Sequence, residues 1–347
     1  MNRHVKSASA RRALLLLGIM IGTAFAAARA TPNSMVFEDG APGGPKALEE
    51  GQPLALVHPT VDDMERFRRA GKPASGASGT ASNLSYHGGV GGTGVQTTPK
   101  VYLVLWGSQW TGHDPSGEVA VLEGFYGNVG GSAWSASVTQ YCQGVASGTV
   151  ACNGAGTAAG NPANILVQVD VWYDNGSAAP THPRQSQLAA EAVRAAAHFK
   201  NTSAGSNANT QYVIATATHN NSSGFGSSYC AWHSSTSSAY GNISYTNLPY
   251  MTDAGANCGA DFNGLGANAG ITIVSGHEMA ESITDPFPNS GWLDSTGAEI
   301  GDKCAWIASG QGASANVTLT NGLSYPVQSL WSNAANSGAG GCVLSYP

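Results

Sequence analysis

Ten consecutive residues, His277-Glu278-Met279-Ala280-Glu281-Ser282-Ile283-Thr284-Asp285-Pro286, place four ionisable side chains directly behind the apolar run Ile271-Thr272-Ile273-Val274. At 3.6 residues per turn His277 and Glu281 are i,i+4 neighbours on one helix face, so an imidazole nitrogen and a carboxylate oxygen can reach the same cation. Glu278 is turned about 100° from His277. From there a carboxylate can take a proton from a metal-bound water, as the Glu of the His-Glu-x-x-His signature of zinc peptidases does. The second ligand position holds Glu where that signature holds His, which leaves a capped surface helix with solvated carboxylates as the alternative. Residues 76–347 contain only 7 His and 6 Glu, so His-Glu-x-x-Glu is expected by chance on the order of 0.003 times. Asp285-Pro286 ends the helix, because a residue before proline is pushed out of the α region.

The elements that must position these groups follow from the rest of the chain. Arg3, Lys6, Arg11 and Arg12 precede an apolar stretch over 13–28, and Ala28-Arg29-Ala30 offers a cleavage site, so residues 1–30 read as a secretory signal peptide. No later stretch reaches the roughly 20 apolar residues that a membrane span needs. Residues 31–75 hold 7 acidic and 5 basic side chains, whereas residues 76–347 hold 14 acidic and 5 basic. The first reads as a charged leader or pro-segment running into a Gly/Ser-rich linker, together 31–98; the second is a globular body, 99–347. A body with an acidic excess argues against nucleic acid and against anionic membrane surfaces. All six cysteines lie in the body. An even count in an exported chain predicts disulfides, most simply in sequential pairs: 142 with 152, 230 with 258, and 304 with 342.

Along the body the pattern alternates. Residues 101–106 and 165–172 read as strands, 117–126 as a helix, 185–200 as the longest helix, and 212–218 as a strand leading to His219. A Ser/Gly/Asn-rich irregular stretch precedes the 271–285 helix, and short strands follow at 317–319, 325–331 and 342–345. The leader carries one short predicted helix over 61–70. The fold class predicted is a single α/β (α+β) domain with a central sheet, an active-site helix and disulfide-stapled loops.

Several separated segments resemble the EXORDIUM or phosphate-induced protein family of exported proteins: Tyr86-His87-Gly88-Gly89, Val101 through Gly107, Cys230-Ala231-Trp232-His233, Leu248-Pro249-Tyr250, His277-Glu278-x-x-Glu281 and Glu299-Ile300-Gly301-Asp302-x-Cys304. They occur in family order over about residues 84–305, and the Trp331-Ser332-Asn333 tail looks more like bacterial relatives than plant ones. The resemblance implies a zincin-like core. It also implies a third metal ligand downstream of the helix, with Asp302 first and Glu299 second. His233 beside Cys230 is an alternative third ligand, an oxyanion stabiliser or a hydrogen-bonded structural histidine. Trp292 and Trp306 flank the Glu299–Asp302 segment as covers of the site or as core aromatics. His219 is expected in a solvated loop, and His87 outside the site.

The expectation is a secreted hydrolase, extracellular or periplasmic, that depends on Zn2+ and acts as an endopeptidase on a protein or peptide substrate. In it His277, Glu281 and Asp302 or Glu299 hold the metal, and Glu278 is the general base, with His233 as a second catalytic residue. The alternative is a non-catalytic extracellular binding or signalling protein. It would keep a structural or Ca2+-type site and contact a cell-wall or carbohydrate surface. The chain has no Gly-x-Ser-x-Gly elbow, P-loop or dinucleotide fingerprint to suggest other chemistry.

Overall fold

The computed structural model describes Gly43, residues 45–70 and residues 83–347. The signal-peptide reading of 1–30 and the first part of the Gly/Ser-rich linker, up to residue 82, lie outside the described residues. Seven strands form the central sheet: β1 (Pro45–Lys46), β2 (Ala55–His58), β3 (Lys100–Trp106), β4 (Val171–Asp174), β5 (Thr210–Thr216), β6 (Ala231–Ser238) and β7 (Gly241–Leu248). Their order is β1-β2-β6-β7-β5-β3-β4. The β7-β5-β3-β4 half is parallel, and the β1-β2-β6-β7 half is antiparallel. Four helices matter for the site: α1 (Val61–Arg69), α2 (Glu118–Val129), α3 (Gln185–His198) and α4 (Ala269–Thr284).

The period of two along each strand sorts side chains into two cores. Val104, Trp106, Tyr212, Ile214, Trp232 and Tyr245 face α3, whose Leu188, Ala192 and Ala195 cover them. Leu103, Leu105, Val213, Ala215 and Ala231 face the other way, onto α2 and α4. A sheet covered on both faces needs apolar residues at successive positions, and β5 is buried at all seven of its residues. The result is a mixed α/β, three-layer arrangement in which every described residue belongs to one compact unit.

Bridges join Cys142–Cys152, Cys230–Cys258 and Cys304–Cys342, the sequential pairing. No helix among the described residues is long and apolar enough to cross a membrane.

Three elements differ from expectation. Residues 165–172 are not one strand, because pairing with β3 begins only at Val171, opposite Leu103. The stretch read as irregular before the helix contains β6 and β7, a hairpin closed through Gly241 in the left-handed region at φ 93°. The charged leader is also built into the sheet. β2 pairs antiparallel with β6, placing Leu56 opposite His233, and α1 packs behind it with Thr60 Oγ1 capping the Asp63 amide.

Candidate metal centre

Every residue of α4 is buried, so its polar side chains must find partners inside the protein. Two glycines let the surroundings close this tightly. A Cβ at Gly270 would lie 1.9 Å from Cys258 O, and one at Gly276 would lie 2.9 Å from the Trp134 ring. From this helix His277, Glu278 and Glu281 meet His233 of β6 and the Glu299–Asp302 segment, which enters from beyond the short pairing of Trp292–Leu293 with Ser85–Tyr86.

The geometry is close. His277 Nε2 lies 2.9 Å from Glu281 Oε2 and 3.8 Å from Asp302 Oδ1. His233 Nδ1 lies 3.3 Å from Glu278 Oε2 and 3.6 Å from Glu281 Oε2, while its Nε2 lies 3.6 Å from Glu299 Oε2. None of the six is more than 3% exposed. His277 Nε2, His233 Nε2, Glu278 Oε1, Glu281 Oε2, Asp302 Oδ1 and both Glu299 oxygens have no hydrogen-bond partner. Buried polar atoms are rarely left so. Orphan atoms converging from three elements, all nitrogen and carboxylate oxygen, fit a divalent cation of the zinc type. They group as His277, Glu281 and Asp302 and as His233, Glu281 and Glu299, each group with ligand atoms within 4.8 Å of one another.

Neighbours orient these ligands. Gln328 Nε2 donates to Gly301 O at 2.8 Å and to Ser329 O at 3.3 Å, which turns its Oε1 toward the histidines. His277 Nδ1 therefore donates to that oxygen, at 3.3 Å, and its Nε2 carries the lone pair. The Asp302 amide donates to Glu281 Oε1 at 3.1 Å, and Asp302 Oδ2 accepts from the Glu299 amide at 3.1 Å, which fixes the loop against the helix. Gly301 is required there, since a Cβ would lie 2.5 Å from His277 Nδ1. The disulfide at Cys304 ties the same loop to Cys342.

Burial dominates the electrostatics. It pushes His277 and His233 down to about 3, so both rings are neutral and able to ligate. Desolvation also raises Glu281 to about 8. Glu278, Glu299 and Asp302 are driven well above the usual carboxylate range by desolvation and then by the charge of Glu281. A bound cation reverses that preference by stabilising the ionised forms.

All six residues singled out in the sequence thus converge. His219 does not, its side chain being 86% exposed beside Asp253, and His87 stays just after the Ser85–Tyr86 strand, its Nε2 3.5 Å from Ser85 Oγ. Trp292 is a core aromatic against Tyr141 and Tyr86. Trp306 reaches the site indirectly, its ring edge against His58 at 4.8 Å.

Two residues were missed. His58, from the leader, lies with its ring 4.1 Å from that of His277 and donates toward Gln328 Oε1 or Pro59 O. Gln328 holds both rings. The run Leu54-Ala55-Leu56-Val57 before His58 was a buried-strand signal inside a charged segment, whereas nothing local distinguishes Gln328. Comparison with protein-family models, with curated proteins and with solved structures found no match to this chain.

Proposed function

We propose that this chain is an exported, metal-dependent hydrolase, an endopeptidase of the EXORDIUM-like type, held in a closed form by its own leader. The observation that carries the reading is the set of orphaned nitrogen and carboxylate atoms converging at the His277-Glu278-x-x-Glu281 helix. His277, Glu281 and Asp302 would hold a zinc ion, whose chemistry when bound would be Lewis acidity toward a carbonyl or a water. Glu278 would be the general base beside that metal. Its Oε2 is held at His233 Nδ1, and its Oε1 has no partner. His233, neutral and on a rigid strand, fixes that carboxylate as a positioning residue.

The closed form follows from the leader's place in the fold. His58 covers His277, and Gly43 lies so near that a Cβ there would be 2.0 Å from Asp302 Oδ1. Arg68 of α1 donates to the carbonyls of Ala305 and Trp306, at 2.6 and 2.9 Å. A substrate gains entry when this segment leaves, and cleavage between residues 70 and 98 would free it. The same complete burial favours one other reading, a structural metal in a binding or signalling protein.

The two part in experiment. Exported protein trimmed between residues 70 and 98, with the leader displaced, is expected to hydrolyse casein or peptides, and the untrimmed chain is not. Glu278→Gln should keep its cation and its fold while losing about 10²-fold or more of the activity, and His277→Ala should lose cation. A trimmed wild type that holds metal yet is inert supports the structural reading; one that binds no metal ends both.

A further inference from the structure

We infer that the site holds two divalent cations bridged by Glu281, one bound by His277 and Asp302 and the other by His233 and Glu299. The inference rests on the metal reading above and deepens it from one cation to two.

The first argument is how the donors divide. Each three-residue group has its ligand atoms within 4.8 Å of one another, and Glu281 is the only member common to both. One cation at His277 and Asp302 therefore leaves Glu299 and His233 unused. Glu281 Oε2 lies 2.9 Å from His277 Nε2 and 3.6 Å from the His233 ring at Nδ1, while Oε1 accepts from the Asp302 amide.

The histidines supply the second argument. Each is anchored at one ring nitrogen and orphaned at the other. His277 gives its Nδ1 proton to Gln328, and His233 is held through its Nδ1 by Glu278. Each Nε2 is left without a partner. A ring held through one nitrogen by an amide or carboxylate, with the other nitrogen free, is how proteins present histidine to a metal. Here that arrangement occurs twice, and the two free nitrogens face different carboxylates: Asp302 for His277 and Glu299 for His233.

Charge is the third argument. Glu278, Glu281, Glu299 and Asp302 are all buried. Lys303 is occupied by Asp294 at 2.7 Å. One divalent cation would leave about half of these carboxylate charges uncompensated in a medium where unpaired charge is costly. Two cations balance them. The rival is protons in place of the second cation.

The test is cation stoichiometry on the full exported chain, equilibrated with Zn2+ at neutral pH and freed of loose metal, with elemental analysis per chain. Wild type is expected to hold two Zn2+, Glu299→Gln and Asp302→Asn one each, and Glu281→Gln fewer than either. In Mn2+-loaded wild type, electron paramagnetic resonance should show an exchange-coupled pair, and Glu299→Gln an isolated ion. Circular dichroism identifies any variant that does not fold, and the wild-type count stands whatever the variants do. One Zn2+ per wild-type chain, or an unchanged count in folded Glu299→Gln, overturns the two-cation centre and leaves the single-metal reading intact. No bound Zn2+ overturns both.

Discussion

Gln328 shows how one uncharged side chain decides the chemistry of a neighbour. Its amide NH2 is committed to Gly301 O, so its oxygen must face the histidines and His277 must spend its Nδ1 proton there. The free Nε2 lone pair is a consequence of that commitment. Gln328→Met, which keeps volume and removes the acceptor, is expected to weaken Zn2+ binding about 10- to 100-fold, as loss of an orienting partner does. Chelator competition on the folded variant measures it, and an affinity equal to wild type would mean that packing alone sets the ring. Glu278 and Glu281, by contrast, were readable from spacing alone, because their relation to His277 is fixed by helix geometry.

At the scale of elements, the Glu299–Asp302 loop must press against α4 closely enough for its carboxylates to reach the helix, and Gly301 permits that contact. Its φ of −85° suits any residue, so the requirement is for space. Gly301→Ala should therefore displace the His277 ring, lowering stability by about 1–3 kcal/mol and Zn2+ affinity by at least tenfold; thermal unfolding with a metal titration checks both. The helix itself was legible because its apolar run, its ionisable cluster and the Asp285-Pro286 stop all agree. β6 and β7 were not. Ser234, Ser235, Thr236, Ser237 and Ser238 read as loop, yet all five pair with β7, continuing a strand that has β2 on its other side only at Ala231–His233. The leader misled in a similar way. Half of its charges sit on α1, while the two runs that enter the sheet, Pro45–Lys46 and Ala55–His58, are too short to outweigh them.

Across the whole molecule, carboxylates away from the site also shape its response to pH. Glu191 on α3 is buried beside Arg194, at 2.7 Å, and desolvation raises its carboxyl to about 8, with Arg194 opposing. A folded pKa above the unfolded value of about 4.5 gives a stability contribution that is complete below pH 4.5 and is lost as pH rises through 8. Glu191→Gln should remove that decline. The difference in unfolding free energy between pH 5 and pH 8 is expected to shrink by at least about 1.4 kcal/mol, the worth of one pKa unit. Denaturant titrations at the two pH values, with Zn2+ saturating to keep the centre constant, provide the measurement. An unchanged slope would show that Arg194 compensates Glu191 fully.

The pairing of β2 with β6 has a consequence for recognition. Ala55–His58 uses the backbone amides and carbonyls along the outer side of β6, in antiparallel register with Leu56 opposite His233. Were that strand to leave, as proposed above, β6 would become a bare sheet margin, and such margins accept any extended chain through main-chain hydrogen bonds. The incoming chain would lie where the leader lay, its residue at the Leu56 position beside His233 and its next but one over His277. The leader in that case is a rehearsal of the substrate: its sequence around Leu56 is a first template from which to design peptides for the opened site.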